Sequence, residues 1–97
     1  MKRMRKFSYY TALITLFIIL IFSMQSSAIS LELDDRGTKV TEVQKMLDKL
    51  GYDISIDGVY GHRTKSTIKS FQLNNGLNVD GIVGDNTFKL LSSKSSG

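Results

Sequence analysis

The stretch Asp57-Gly58-Val59-Tyr60-Gly61-His62-Arg63-Thr64 recurs in pattern 23 positions later as Asp80-Gly81-Ile82-Val83-Gly84-Asp85-Asn86-Thr87. Both copies read Asp-Gly-x-x-Gly-x-x-Thr, follow a short apolar alternation and lead into a run with helical spacing. The chain therefore makes one backbone manoeuvre twice. An Asp carboxylate can accept a bond from the amide two residues on, the first Gly supplies a positive φ, and the second lets the chain swing into a helix. Gly61 and Gly84 are expected to hold angles that a Cβ penalises.

The flanks define the elements. Val40, Val43, Leu47 and Leu50 form one stripe of an amphipathic helix at about 39–50, with Thr38 as its N-cap and Gly51 at a left-handed C-terminal position. Tyr52, Ile54 and Ile56 then alternate with polar residues as a half-buried extended piece. Thr64, Ile68 and Phe71 mark a second helix at about 62–74, which Asn74-Asn75-Gly76 ends. Leu77 and Val79 repeat the extended alternation, and a third helix at about 85–92 carries Phe88, Leu90 and Leu91. The expected fold is all-α: a compact three-helix domain over 37–91 with two equivalent Asp-Gly-x-x-Gly loops. A lead-in segment, 29–36, precedes it, and the serine-rich 92–97 reads as a flexible tail.

Residues 1–28 have a different composition. Lys2, Arg3, Arg5 and Lys6 crowd the start, an apolar core fills 12–22, and Ser26-Ser27-Ala28 supplies the small residues of a cleavage site. This is the pattern of a secretory signal peptide, with the mature chain starting at Ile29. The alternative is an uncleaved anchor, since 7–31 is free of charge and long enough to span a bilayer. The polar, small end of the segment favours cleavage, and the membrane is then a partner only through a retained leader. Four of the 13 Lys and Arg lie in the leader, which leaves nine against nine Asp and Glu in the remainder. The remainder has no basic stripe and no nucleic-acid footprint. The chain has no cysteine, so neither a disulfide scaffold nor a lipid-modified Cys is available. A domain of 69 residues is marginal without such supports, and it suits a shallow groove better than a deep enclosed site.

The order Arg36-Gly37, Val40, Val43-Gln44, Leu47, Leu50-Gly51-Tyr52, then the first loop, Phe71-Gln72, Gly76-Leu77, the second loop and Leu90 resembles the peptidoglycan-binding domain of bacterial cell-wall hydrolases. The likeness runs from Leu33 to Leu91 and is to the small three-helix type found beside amidase, muramidase and spore-cortex lytic domains. It implies an exported, wall-associated, non-catalytic module whose partner is peptidoglycan. It equally allows a shortened relative, or the targeting portion, of a cell-wall hydrolase. A protein-interaction module on the same fold is the competing class.

Candidate chemistry is sparse. Asp53-Ile54-Ser55-Ile56-Asp57-Gly58 matches the opening of a calcium loop, but the twelfth position is Thr64 where a bidentate Glu belongs, and Asp-supported turns explain the pattern without a metal. One histidine and no cysteine argue against catalytic zinc, and no cofactor is expected. Asp57 and Asp80 are accounted for by the turns, and no nucleophile motif occurs, so no catalytic residue is assigned. Gln44 and Gln72 read either as amides bonding a neighbouring loop or as ligand contacts, and Tyr52 and Tyr60 either as core rim or as sugar platforms. The expected ligand groove is lined by Tyr60, His62, Arg63, Asn75 and Asp85. In it Arg63 would pair with stem-peptide carboxylates and Tyr60 would pack on a sugar face.

Overall fold

A computed structural model of the chain describes residues 13–16, which are helical, and residues 28–97. The basic start, most of the apolar core and Ser26-Ser27 of the expected leader lie outside the described residues. Among those described, no helix is long and apolar enough to cross a membrane. The domain consists of α1 (Thr38–Lys49), α2 (His62–Asn74) and α3 (Asp85–Ser95), with no strand among the described residues.

The apolar stripes converge as the periodicity requires. Val40, Val43 and Leu47 of α1, Ile68 and Phe71 of α2 and Leu91 of α3 are buried together, with Tyr60 and Val83 inserted from the two loops. α1 packs alongside α3. Tyr52 meets the Phe71 ring edge-on at 6.4 Å. The extended pieces are only half as buried as their alternation suggests. Tyr52, Ile54 and Leu77 pack on the core, whereas Ile56 and Val79 are exposed.

α1 and α2 end in the same way. Gly51 N–H donates to Asp48 O and Tyr52 N–H to Leu47 O; Gly76 N–H donates to Leu73 O and Leu77 N–H to Gln72 O. Each is a Schellman motif with a left-handed glycine, at φ 96° and 68°. The starts are alike too: Gly37, Gly61 and Gly84 stand at the N-caps, and no side chain caps any of the three. Thr38 is therefore the first helical residue of α1 and not its cap.

The lead-in segment crosses both loops. Leu31 exchanges two backbone bonds with Val83, at 3.0 and 2.8 Å. Asp34 N–H donates to Tyr60 O and Tyr60 N–H to Asp35 O, both at 2.8 Å. Tyr60 and Val83 hold the same place in the repeat, so one segment latches both copies at equivalent points.

The C-terminal end differs from expectation. The expected tail at 92–97 is largely the last turn of α3, which runs to Ser95, and Ser95 is buried. Ser95 and Ser96 hydroxyls donate to the carbonyls of Ser92 and Ser93, so the serines bond their own helix instead of fraying it.

The glycines also divide differently. Gly58 and Gly81 have φ 74° and 72°, but Gly61 and Gly84 sit at φ −89° and −86°, extended angles open to any residue. The expectation that Gly61 and Gly84 resist a Cβ is overturned. A Cβ there would meet nothing within 4 Å, while one at Gly58 would lie 2.9 Å from Thr41 Oγ1. A Cβ at Gly81 would lie 2.9 Å from Lys65 Cγ and 3.1 Å from the Cε atoms of Lys65 and Lys69. Gly58→Ala and Gly81→Ala are each expected to destabilise the domain by about 1–3 kcal/mol. Gly61→Ser and Gly84→Ser, which place a capping hydroxyl at a helix start, should leave stability unchanged or raise it. Urea denaturation of the four variants checks this ordering.

Candidate functional site

Each loop is held by one buried glutamine. Gln44 Nε2 donates to Asp57 Oδ1 (3.0 Å), Val59 O (2.9 Å) and Thr64 Oγ1 (3.2 Å), while its Oε1 accepts from the amides of Asp57 (3.1 Å) and Gly58 (2.9 Å). Gln72 repeats the set. Nε2 donates to Asp80 Oδ1 (2.9 Å), Ile82 O (2.9 Å) and Thr87 Oγ1 (3.2 Å), and Oε1 accepts from the amides of Asp80 (3.2 Å) and Gly81 (3.0 Å). The amide orientation is forced, because a flipped amide would set its NH2 against two backbone N–H groups. Both glutamines are inaccessible to solvent, so their role is to hold the loops, and ligand contact is ruled out by burial.

The aspartates complete each turn from outside. Asp57 Oδ1 accepts from Val59 N–H at 3.0 Å and Asp80 Oδ1 from Ile82 N–H at 2.9 Å. These backbone bonds first, and the glutamine amides second, hold both carboxyls below the usual carboxylate range. Each is therefore ionised at neutral pH and committed to its own loop. Asp53, the first residue of the stretch that resembles a calcium loop, pairs instead with Arg63.

Tyr60 has no solvent-accessible surface, and its hydroxyl donates to Gly81 O at 2.7 Å, tying the first loop to the second. Burial pushes its phenol well above the usual tyrosine range, so it stays a donor. The expectation that Tyr60 lines a groove and packs on a sugar is overturned: the entry of its ring into the core and the bond to Gly81 leave nothing to present. Tyr52 is half-buried at the rim, its hydroxyl accepting from Asn74 Nδ2.

The other candidates do not form one groove. His62 is exposed at the start of α2. Arg63 turns back to Asp53, with Nη2 2.9 Å from Asp53 Oδ2 and 3.1 Å from its carbonyl oxygen. Asn75 is half-buried and donates its amide to Phe71 O at 2.7 Å. Asp85 borders a cleft of about 460 Å³ beside the second loop, with Leu77, Asn78, Asp80, Ile82 and Asn86 among the other lining residues. A shallower hollow of about 370 Å³ shares Leu77 and Asn86 and continues to Lys89 and Leu90. Asn78 and Asn86 were missed in the sequence. Aligning the copies from the helix ends matches Leu77 with Tyr52 and Asn78 with Asp53, while aligning the two Asp-Gly loops sets Asn86 opposite Arg63.

The two buried glutamines, the two aspartate turns and the three helices, save the end of α3, all lie within one stretch that matches a known family. The sequence profile of the peptidoglycan binding domain family matches residues 36–91, and the chain belongs to that family. Among individual proteins, the chain is 43% identical over 58 residues to the carboxy-terminal processing protease CtpA of Bacillus subtilis (strain 168), covering 59% of this chain and 12% of that protein. It is 41% identical over 59 residues to the N-acetylmuramoyl-L-alanine amidase CwlL of Bacillus licheniformis, covering 54% of this chain and 16% of that one. The crystal structure of the SleB N-terminal domain superposes with a TM-score of 0.67 at 33% identity, over 71% of this chain and 96% of that domain. The chain thus spans less than a fifth of the length of these two curated relatives.

The depressed carboxyls give the fold a defined acid response. Asp57 and Asp80 titrate lower folded than unfolded, so their stabilisation is complete above the unfolded value of about 4 and is lost as pH falls through the folded values. Asp57→Asn with Asp80→Asn keeps an acceptor oxygen for each loop amide and removes the titration. Thermal melts between about pH 4 and pH 2 should fall less steeply for the double variant than for the parent chain.

Proposed function

We propose that the chain is an exported, non-catalytic module that binds bacterial cell-wall peptidoglycan. The observation that carries this reading is family membership over 36–91, the segment that forms the helices and both loops. Two further facts support it. A processing protease and a muramoyl-alanine amidase, enzymes with different substrates by name, each share a stretch of 58 or 59 residues with the chain, as expected of a domain that places an enzyme rather than performs its reaction. Asp57 and Asp80, the carboxylates nearest to a catalytic pair, are ionised and bound into turns, so neither can act as a general acid.

The proposed contact face is the cleft beside the second loop, with Asp85 on its border and His62 exposed at the matching place on the first loop. Export is supported by the lead-in segment. Ile29 N–H donates to Asp85 Oδ1 at 2.8 Å, so cleavage after Ala28 would turn that amide into an ammonium already facing a carboxylate. The short span matched in CtpA and CwlL supports a second reading, that the chain is the targeting portion of a larger wall enzyme.

Exported protein, of intact mass corresponding to residues 29–97, should sediment with purified sacculi stripped of protein and should not clear their turbidity. Clearing would overturn the non-catalytic reading. Absence from the pellet, with retention only on sacculi that keep their proteins, would favour a protein-interaction module instead.

A further inference from the structure

The two loops share a backbone but differ in what lies beside them. Next to the first, the Arg63 guanidinium reaches across to position 53, with Nε and Nη2 at 3.3 and 3.1 Å from the Asp53 carbonyl and Nη2 at 2.9 Å from its carboxylate. Next to the second, the corresponding residues are Asn86 and Asn78, and neither side chain makes a hydrogen bond among the described residues. The space that a cationic side chain spans in the first copy is an open cleft in the second.

We propose that this cleft receives a primary ammonium carried on the peptide stems of peptidoglycan; the inference rests on the reading that the chain binds the wall. Asp80 and Asp85 border the cleft and no Lys or Arg side chain does, Lys89 lying in the adjoining hollow. Asp85 Oδ1 already holds the Ile29 nitrogen at 2.8 Å, so Asp80, whose loop bonds use Oδ1, supplies the carboxylate charge for a ligand. The amide oxygens of Asn78 and Asn86 add neutral acceptors, and an ammonium with three donors suits such a set. The positive end of α3 also faces this region, but Asp85 in its first turn offsets that field. No aromatic ring lines either the cleft or the adjoining hollow, so the surface lacks the flat apolar platform on which a sugar face would stack. Charge-assisted bonds to a peptide amine, and not sugar stacking, are the chemistry these residues supply.

Two arms test this, both using sacculi stripped of protein and of attached wall polymers. In the first, free amines of the sacculi are N-acetylated, and retention of the parent protein should fall at least about tenfold, the loss of one charge-assisted contact. In the second, Asn78→Asp with Asn86→Arg copies the Asp53–Arg63 bridge into the second loop. That variant should melt like the parent, bind untreated sacculi at least about tenfold more weakly, and be indifferent to acetylation. Equal binding of the parent protein to treated and untreated sacculi would overturn the amine assignment and leave wall binding standing. Failure to bind untreated sacculi at all would overturn wall binding, and the amine assignment with it. The acetylation arm uses the unaltered protein and so decides the matter even if the double variant does not fold.

Discussion

One buried primary amide per loop is the constraint on which the domain depends. Gln44 and Gln72 each satisfy two backbone N–H groups, a backbone carbonyl, a carboxylate and a threonine hydroxyl. The carboxylates are exposed, but backbone groups and a threonine hydroxyl packed against a helix are withdrawn from water, at a cost of about 1–3 kcal/mol for each one left unpaired. Only a side chain with both donors and an acceptor, of this length, can serve them all from a helix face. Every buried side-chain nitrogen and oxygen among the described residues has a partner, which a domain with no cysteine and a small core requires.

With the loops held by the glutamines, the remaining loop positions are free to differ, both in the core and on the surface. Position 60 is a tyrosine whose hydroxyl reaches the second loop, and position 83 is a valine that fills the core. Positions 63 and 86 diverge further: an arginine bridges to Asp53 in the first copy, and an asparagine borders a cleft in the second. The exposed Arg63–Asp53 pair adds little to stability. Its effect is steric, occupying a space that the other copy leaves accessible. Duplicated scaffolding thus carries unequal surfaces, one loop bridged by an ion pair and the other open beside its cleft.

Much of this architecture was legible in the sequence because it rests on short-range rules. The helical stripes, the glycines at 51 and 76, and the bond from each aspartate to the amide two residues on all follow from local spacing, and all are present. What was not legible depended on contacts distant in the chain. Tyr60 read as a surface platform because nothing local reveals that its ring enters the core and its hydroxyl meets Gly81, 21 residues on. Arg63 read as free for ligand because its partner, Asp53, lies across a helix end. The serines after Leu91 read as a tail because their composition suggests flexibility, whereas burial of Ser95 extends the helix. Asn78 was hidden because the connection before the second loop is two residues shorter, which breaks the constant offset between the copies, whereas Asn86 stands opposite Arg63 in the repeat itself and gains meaning only once the Arg63–Asp53 bridge is seen.

Amide hydrogen exchange at Gly58 and Gly81 tests the central claim most directly. Both amides lie in loops that would exchange quickly if exposed, yet each donates to a buried glutamine oxygen, at 2.9 and 3.0 Å. If the glutamines hold the loops, these two protons should exchange only when the domain opens, at rates close to those of core amides in α1 and α2. Exchange at the rate of unprotected loop amides, while the helices stay protected, would contradict the account.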